Sequence, residues 1–590
     1  MHPIHGLVDN RRAAAMLGVS VNTFRVWATR ARTARTGIAA SMPSPVATLH
    51  GQVYRSEEIE DFGRLIALNA RSPRSAQRGL GAYYTPSIAA NLMVQWAVRD
   101  ATNTLIEPSV GDGEFAIAAQ RYAHGMGWGT LDVYACELDP ETAARAASVG
   151  AIAPSRMRVG DFLSCHDLPS ADAVIGNPPF VRVRELSAPL RRSALDAASS
   201  TLPRPMDASG SVWMPFVSKS LTHLKPGGRL ALVLPLDFTY VKYARQLWLL
   251  LGAEFKKLSI IRFRERVFPD IMQNVLILLA DGRGGSTDEV EVVSYDRIAD
   301  VPDAGFGAGV SVPIEQVVSG QKVFQYALLP KETREVLQSL QAESAPAKGR
   351  IKFNIGYVSG NKQFFHPSPD TVQKFGIPQS SLQPTIQTSR QLTGSGLRTS
   401  SMTRSAELWS PIGELTSGEA DYVSYGEANG VDMAYKCRIR KPWYRVPGVR
   451  NPQILMTTFS DRPRIHLNDA EWVASNSILC GYIQTRESAE SIIESWYTPL
   501  TLLSVELNIH SLGGGVMIAV PGEADAVQLI DAKVTRPVDQ SAIDAALRSN
   551  DATAAYSVGS ASIEALVGVD GVDALWRGAA ELERWRKAQV

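Results

Sequence analysis

Between Thr104 and Phe180, four short apolar runs each end in a turn of glycine, acid or proline. The first, Thr104–Ile106, feeds Glu107-Pro108-Ser109-Val110-Gly111-Asp112-Gly113-Glu114-Phe115 and then an alanine-rich helical stretch. A strand entering a helix through Gly-x-Gly lets a ligand approach the backbone, because glycine has no Cβ and accepts positive φ. Alone, such a turn is more often a plain chain reversal than a ligand site. A second run, Val133–Cys136, ends in Glu137, where a carboxylate can accept from both hydroxyls of a ribose. The turn has no third glycine, and Asp112 and Glu114 would repel a pyrophosphate, so a cationic nucleoside fits better than a dinucleotide.

The third run, Met157–Val159, leads to Asp161-Phe162, an acceptor for a purine amino group beside a ring to pack on the purine. The fourth, Ala173–Ile175, ends in Gly176-Asn177-Pro178-Pro179-Phe180. An exocyclic base amine is a poor nucleophile because its lone pair is delocalised into the ring. If the Asn177 side-chain oxygen and the Pro178 carbonyl each accept one N–H, the nitrogen can pyramidalise and aim its lone pair at a methyl donor. Pro178 and Pro179 hold the loop rigid through their fixed φ, and Phe180 can stack on an extruded base. Such a site acts by positioning and electrostatics. An isolated NPPF could be a mere turn; in register behind three nucleotide-type signals it reads as a catalytic loop.

In this order the segments resemble the S-adenosyl-L-methionine-dependent DNA amino-methyltransferases, of the gamma (TaqI-like and Eco57I-like) arrangement found in restriction-modification systems. GAYYTP (81–86) looks like the motif packing on the cofactor's methionine end, LIEPSVGDGEF like the glycine motif, and ACELDP and GDFL like its ribose and adenine motifs. VIGNPPF looks like the catalytic loop, and LKPGGRLALVLP like the fifth-strand region. The resemblance implies a class I methyltransferase fold, a mostly parallel seven-stranded α/β sheet flanked by helices. It implies cofactor contacts at Tyr84, Thr85, Glu107, Ser109, Gly111, Gly113, Phe115, Glu137, Leu138, Asp161 and Phe162. Through Val267-Phe268-Pro269 it implies that Phe180 and Phe268 sandwich the target adenine. Tyr is commoner than Phe at position 180 in the family, so a hydroxyl is lost and the ring kept.

Composition sets limits around that core. The chain has 590 residues, 60 Lys+Arg against 59 Asp+Glu, and 45% hydrophobic residues, which excludes wholesale disorder and a uniformly basic coat for nucleic acid. Cys136, Cys165, Cys437 and Cys480 lie far apart with no CxxC pair, so we expect a reducing compartment, no disulfide frame and no metal site. No leader or membrane-spanning run is evident, and we expect a cytoplasmic protein, monomeric in solution.

The neutral sum hides segregation. Residues 1–80 carry 11 arginines and 5 acids. Arg11–Leu17 and Ser20–Arg30 read as two short helices about Gly18, followed by a hairpin, Ala47–Leu49 and Gln52–Arg55 around His50-Gly51. AAAMLGVSVNTFRVW and VYRSEEIEDF resemble the excisionase and MerR-like winged helix-turn-helix, which implies DNA contacts from Asn22, Thr23, Arg25 and Arg30. The alternative is a small packing module. Between Lys436 and Arg450, six cations surround Trp443 and Tyr444 without an acid, which suits a phosphate backbone through Arg438, Arg440, Lys441, Trp443 and Arg445. A solvated edge strand would have the same composition. Gly514, in Gly513-Gly514-Gly515, permits close approach either to DNA or within a hairpin.

We expect five segments: an arm over 1–70, a linker over 71–80, a catalytic domain over 81–282, a target-recognition domain over 283–540 and a helical tail over 541–590. Gly282–Ser286 and Gln341–Gly349 read as flexible joints. The function this predicts is adenine-N6 methylation of double-stranded DNA. Alternatives are cytosine-N4 or RNA guanine-N2 methylation, modification of a release-factor glutamine, and a DNA-binding regulator with a degenerate core. No PD-(D/E)xK constellation is evident in 283–590, so a cognate restriction endonuclease would be a separate polypeptide.

Overall fold

Parallel strands buried on both faces read as continuous apolar runs rather than alternating ones. A computed structural model of the chain describes residues 7–16, 45, 47–48, 52–55, 59, 85–268, 274–403, 406–512, 515–531 and 537–588. In it the apolar runs become β1 (Thr104–Glu107), β2 (Asp132–Glu137), β3 (Met157–Val159), β4 (Ala171–Gly176) and β5 (Leu224–Pro235). They lie side by side in the order β3-β2-β1-β4-β5, all parallel. Beyond β5 come β7 (Val275–Arg283) and then β6 (Phe255–Phe263); β7 runs antiparallel to β5, with Val275 opposite Pro235. Helices α1 (Ser87–Ala97), α2 (Glu114–Gly125), α3 (Pro140–Ser148), α4 (Ala188–Thr201) and α5 (Trp213–Thr222) flank the sheet. This is the mostly parallel class I methyltransferase arrangement that the sequence leads one to expect, but among the described residues the sheet has nine strands rather than seven, with Glu289–Tyr295 and Val310–Pro313 added beyond β6.

The chain forms two compact units. The first holds residues 1–238, 249–258 and 268–287; the second holds 239–248, 259–267 and 288–590. β6 therefore begins in the first unit and ends in the second, and the division is not a single cut near residue 282. Neither expected joint is a flexible tether. At 282–287, Gly284 N–H donates to the Glu254 carbonyl and Thr287 N–H to that of Gly252, with Gly282 and Gly284 at positive φ in a hydrogen-bonded turn. At 341–349, Ser344–Pro346 is a strand paired antiparallel with Gln528–Ile530, and Ala347 is fully buried. Glycine and proline marked the turns correctly; partners far along the chain made them rigid.

In the N-terminal arm the helix Asn10–Met16 and the hairpin Ala47–Thr48 with Gln52–Arg55 are present, joined by an unforeseen third strand, Leu7–Asp9, against Gln52–Arg55. The second helix of the expected pair, with Asn22, Thr23, Arg25 and Arg30, lies outside the described residues, as do Tyr84 and Gly514.

The second unit is built around α6 (Pro499–Asn508) and α7 (Ser560–Ala588), which is broken at Gly568 by φ +72°. Trp496, Tyr497, Leu503, Tyr556 and Leu575 form one apolar core with the sheet strands Ile351–Ile355, Ile454–Thr457 and Ile465–Leu467. The helices after residue 540 contribute Ile543, Tyr556 and Leu575 to that core, so the expected tail is part of the unit's interior. Among the described residues no helix is long and apolar enough to cross a membrane.

The Arg586 guanidinium is buried with Glu506, donating to its Oε1 at 2.8 Å and Oε2 at 3.0 Å, and also to the Asp461 and Gly515 carbonyls. Removing one member of such a pair strands a charge. Arg586→Ala is expected to destabilise the second unit by about 3–5 kcal/mol, whereas the pair replaced together by Met and Leu stays near wild type. Urea unfolding checks this, and a loss below about 1 kcal/mol for the single variant would show the pair to be dispensable.

Candidate active site

The site grows from the carboxyl ends of β1, β2 and β4. After β1 the chain turns at Gly111 (φ +52°) and enters α2 at Gly113 (φ +79°), left-handed conformations that a Cβ would strain. The turn is tied to β2: Gly111 N–H donates to Glu137 Oε2 at 3.0 Å, and Asp139 N–H donates to Oε1 at 3.1 Å. Asp139 in turn caps α3, accepting from the Thr142 N–H at 3.0 Å, with Pro140 following in the first helical turn. These contacts hold the Glu137 carboxylate beside the glycine turn.

A cleft of about 1040 Å3, open to solvent, lies over these strand ends. Ser109, Gly111, Glu137, Leu138, Asp161, Phe162, Asn177 and Pro179 all line it. Eight positions singled out from separate sequence motifs therefore share one cavity. Beside it, a smaller cavity of about 290 Å3 is lined by Thr85, Glu107, Glu114 and Phe115, together with Ser109, Gly111, Asp112 and Asn177. The loop that begins at Asn177 is fixed from both sides. Ser109 Oγ donates to the Asn177 carbonyl at 3.1 Å, and Asn177 Nδ2 donates to Thr85 Oγ1 at 3.4 Å. With the amide nitrogen engaged by Thr85, Oδ1 is the acceptor end of the side chain.

The two rings expected to sandwich a base are placed differently. Phe180 is only 9% exposed and Phe268 only 3%, and neither lines the main cleft. Both rings are buried in this structure.

Carboxylates dominate the electrostatics. Glu107, at the end of β1, is 1% exposed. Burial pushes its carboxyl well above the usual range; the Ala116 N–H opposes this, and the charges of Glu137 and Glu114 add to it. Among the described residues its Oε2 has no hydrogen-bond partner. A buried carboxylate oxygen left without a donor beside two further acids suits a cationic, hydrogen-bonding group such as the α-ammonium of an amino acid. On this observation the residues present fit S-adenosyl-L-methionine, whose amino-acid end Glu107 would hold, with Glu137 available to a ribose and Asp161 and Phe162 to a base.

Asp161 caps the short turn Phe162–Ser164: Oδ1 accepts from Leu163 N–H at 3.0 Å, and Oδ2 accepts from the Ser193 hydroxyl on α4. Phe162 is buried against Phe216 of α5, ring centres 5.3 Å apart. Leu186, Leu190, Val212 and Phe216 complete an apolar wall. Ser193, Leu190 and Phe216 were not foreseen: the first two sit in α4 and Phe216 in the almost wholly buried α5, with nothing local to mark any of them.

In the second unit the basic stretch is neither an edge strand nor a uniform patch. Tyr435–Arg438 is a helical turn followed by an irregular loop. Arg440 points inward, donating to the Val358 carbonyl at 2.6 Å and lying over the Phe365 ring. Trp443 joins Phe364 and Phe365 in an aromatic cluster and donates from Nε1 to Glu427 at 3.0 Å. Both hold this part of the fold together rather than offering a stacking face. Arg438 and Lys441 are exposed, as is Arg445, which reaches the Gly413 carbonyl. Gly515 (φ +73°) lies in the turn joining Ser511–Leu512 to Val516–Ile518, in keeping with a hairpin.

As pH rises past the ordinary glutamate value, 4.5, an unfolded chain releases the Glu107 proton while the folded chain keeps it. Folded stability therefore falls with pH until the raised value is passed. Glu107→Gln is expected to flatten this decline in ligand-free melts between about pH 5 and pH 8. Equal slopes for both proteins would show that Glu107 is not the group responsible.

Two family models match the chain: Eco57I restriction-modification methylase over residues 162–268, and Type II methyltransferase M.Eco57I, C-terminal domain, over 321–563. Type II methyltransferase M.HincII of Haemophilus influenzae is 26% identical over 225 residues, 38% of this chain and 41% of the relative. Type II methyltransferase M.AccI of Acinetobacter calcoaceticus is 19% identical over 418 residues, 68% of this chain and 74% of the relative. The chain thus spans about two fifths of the length of the HincII relative. Among solved structures, the type IIL restriction-modification enzyme MmeI in complex with DNA superposes with a TM-score of 0.45 at 12% identity, over 98% of this chain and 87% of that one. The two family models belong to one enzyme type and together take in more than half of the 590 residues. Over residues 162–268 and 321–563 the chain is similar to the Eco57I restriction-modification methylases.

Proposed function

We propose that the protein is a site-specific DNA adenine-N6 methyltransferase acting with S-adenosyl-L-methionine on an adenine turned out of double-stranded DNA. The observation that carries this reading is the Asn177 loop. Its side-chain nitrogen is engaged by Thr85 and its carbonyl by Ser109, at a cleft lined also by Glu137 and Asp161. When bound, the cofactor supplies an electrophilic methyl group. The chain's part is to hold the acceptor: Asn177 Oδ1 and the Pro178 carbonyl each accept one N–H of the base amine, so that its lone pair leaves conjugation. Pro178 and Pro179 keep those acceptors from relaxing, and preorganised dipoles of this kind act without reorganisation cost. Phe180 and Phe268 sandwich the base only after leaving their buried positions. Arg438 and Lys441, exposed on the second unit, meet the phosphate backbone, where cations displace condensed counterions.

The decisive assay is methyl-labelled cofactor with plasmid DNA, structured RNA or release factor, followed by identification of the modified nucleoside or side chain. N6-methyladenine in DNA is expected; label only in RNA or protein overturns the reading. Asn177→Ala should bind cofactor like wild type yet lose turnover by about 10²–10³-fold. For the surface, Arg438→Ala/Lys441→Ala should weaken DNA binding across sequences and flatten the log–log salt dependence by about 2. An unchanged slope would remove those residues from the interface.

A further inference from the structure

Ser193 lies 32 residues from Asp161 in sequence, yet its hydroxyl donates to Asp161 Oδ2. With Leu163 N–H on Oδ1, both oxygens of this carboxylate are held, and each keeps a second lone pair. We propose that Ser193 is a positioning residue that turns the Asp161 carboxylate toward the amino group of a purine, and so makes the cleft select an adenine-bearing cofactor over one bearing hypoxanthine. This rests on the reading of the cleft as the cofactor site.

The chemistry of the surroundings favours that role. Leu186, Leu190, Val212 and Phe216 offer a purine only apolar contact, which discriminates poorly between ring substituents. Base selection in such a pocket falls to the polar group at its edge, Asp161, which welcomes an N–H donor and repels a carbonyl oxygen. A carboxylate held only by its own turn can rotate about its Cβ–Cγ bond. A hydroxyl donated from a separate helix stops that rotation.

The helix is itself anchored. α4 sits within a segment whose two ends pair: Val183 N–H donates to the Gly210 carbonyl at 2.9 Å, and Val212 N–H to that of Val181 at 2.9 Å. The first of these ends follows Asn177–Phe180 directly, so one segment joins the catalytic loop to the residue holding Asp161. Arg191 steadies it from within, donating to the Arg184 and Leu186 carbonyls at 2.8 and 2.9 Å.

Isothermal titration of the full chain with S-adenosylhomocysteine and S-inosylhomocysteine tests the proposal, using wild type, Ser193→Ala and Ser193→Thr. Wild type should prefer the adenine compound. Ser193→Ala should lose about tenfold in affinity for it while binding the hypoxanthine compound as before, so the preference collapses. Retained binding of the second compound shows that the variant folds. Ser193→Thr, which keeps the hydroxyl, should restore the preference. Equal weakening of both compounds, or no weakening of either, overturns the role of Ser193 alone. Failure of wild type to bind either compound overturns the cofactor reading, and this proposal with it.

Discussion

Everything at the cleft depends on how the end of β1 is joined to the end of β2. Gly111 must adopt positive φ to turn its N–H toward Glu137, and the same carboxylate accepts from Asp139 on its other oxygen. A side chain at Gly111 would meet open space, so the constraint is backbone conformation rather than crowding. This small junction sets the direction of α2, caps the start of α3 through Asp139, and leaves a carboxylate standing beside the glycine turn. The Asn177 loop at the end of β4 is then tied back to the same turn through Ser109. A cleft at strand ends needs such ties, because parallel strands alone leave their terminal loops free to wander.

The charge distribution follows a single logic within the first unit. Acids gather at the strand ends, where burial and the charges of Glu137 and Glu114 make Glu107 costly to ionise. Arginines there serve the scaffold: Arg229 donates to Asp281 across β5 and β7 while stacking on Trp96, and Arg99 reaches the same aspartate. Near-equal totals of acid and base describe neither population.

The second unit shows the converse. Its basic stretch divides by side-chain reach. Arg440 and Trp443 are consumed by an aromatic cluster in which Phe364 lies parallel to Tyr422 at 4.4 Å, while Arg438 and Lys441 remain outside. Near them Met433 is 65% exposed and Tyr435 64%, leaving apolar and cationic groups on one short segment. Composition cannot make that division, since arginine and tryptophan pack inside as readily as they bind outside when a carbonyl or a ring is within reach.

The strands, their order of appearance and the turns at their ends were legible from the sequence, because apolar runs, glycine pairs and acid-ended strands obey local rules of geometry. So were the places of Glu137, Asp161 and Asn177, which lie at the end of a strand or within two residues beyond it. What tertiary structure decided was everything that depends on a distant partner. Thr85 engaging the Asn177 amide, Ser193 holding Asp161, the two expected joints stiffened by strand and turn partners, and the burial of Phe180 and Phe268 have no local signature. A hydrogen bond spanning 92 residues is set by packing of whole elements, and no short window of sequence contains both its ends.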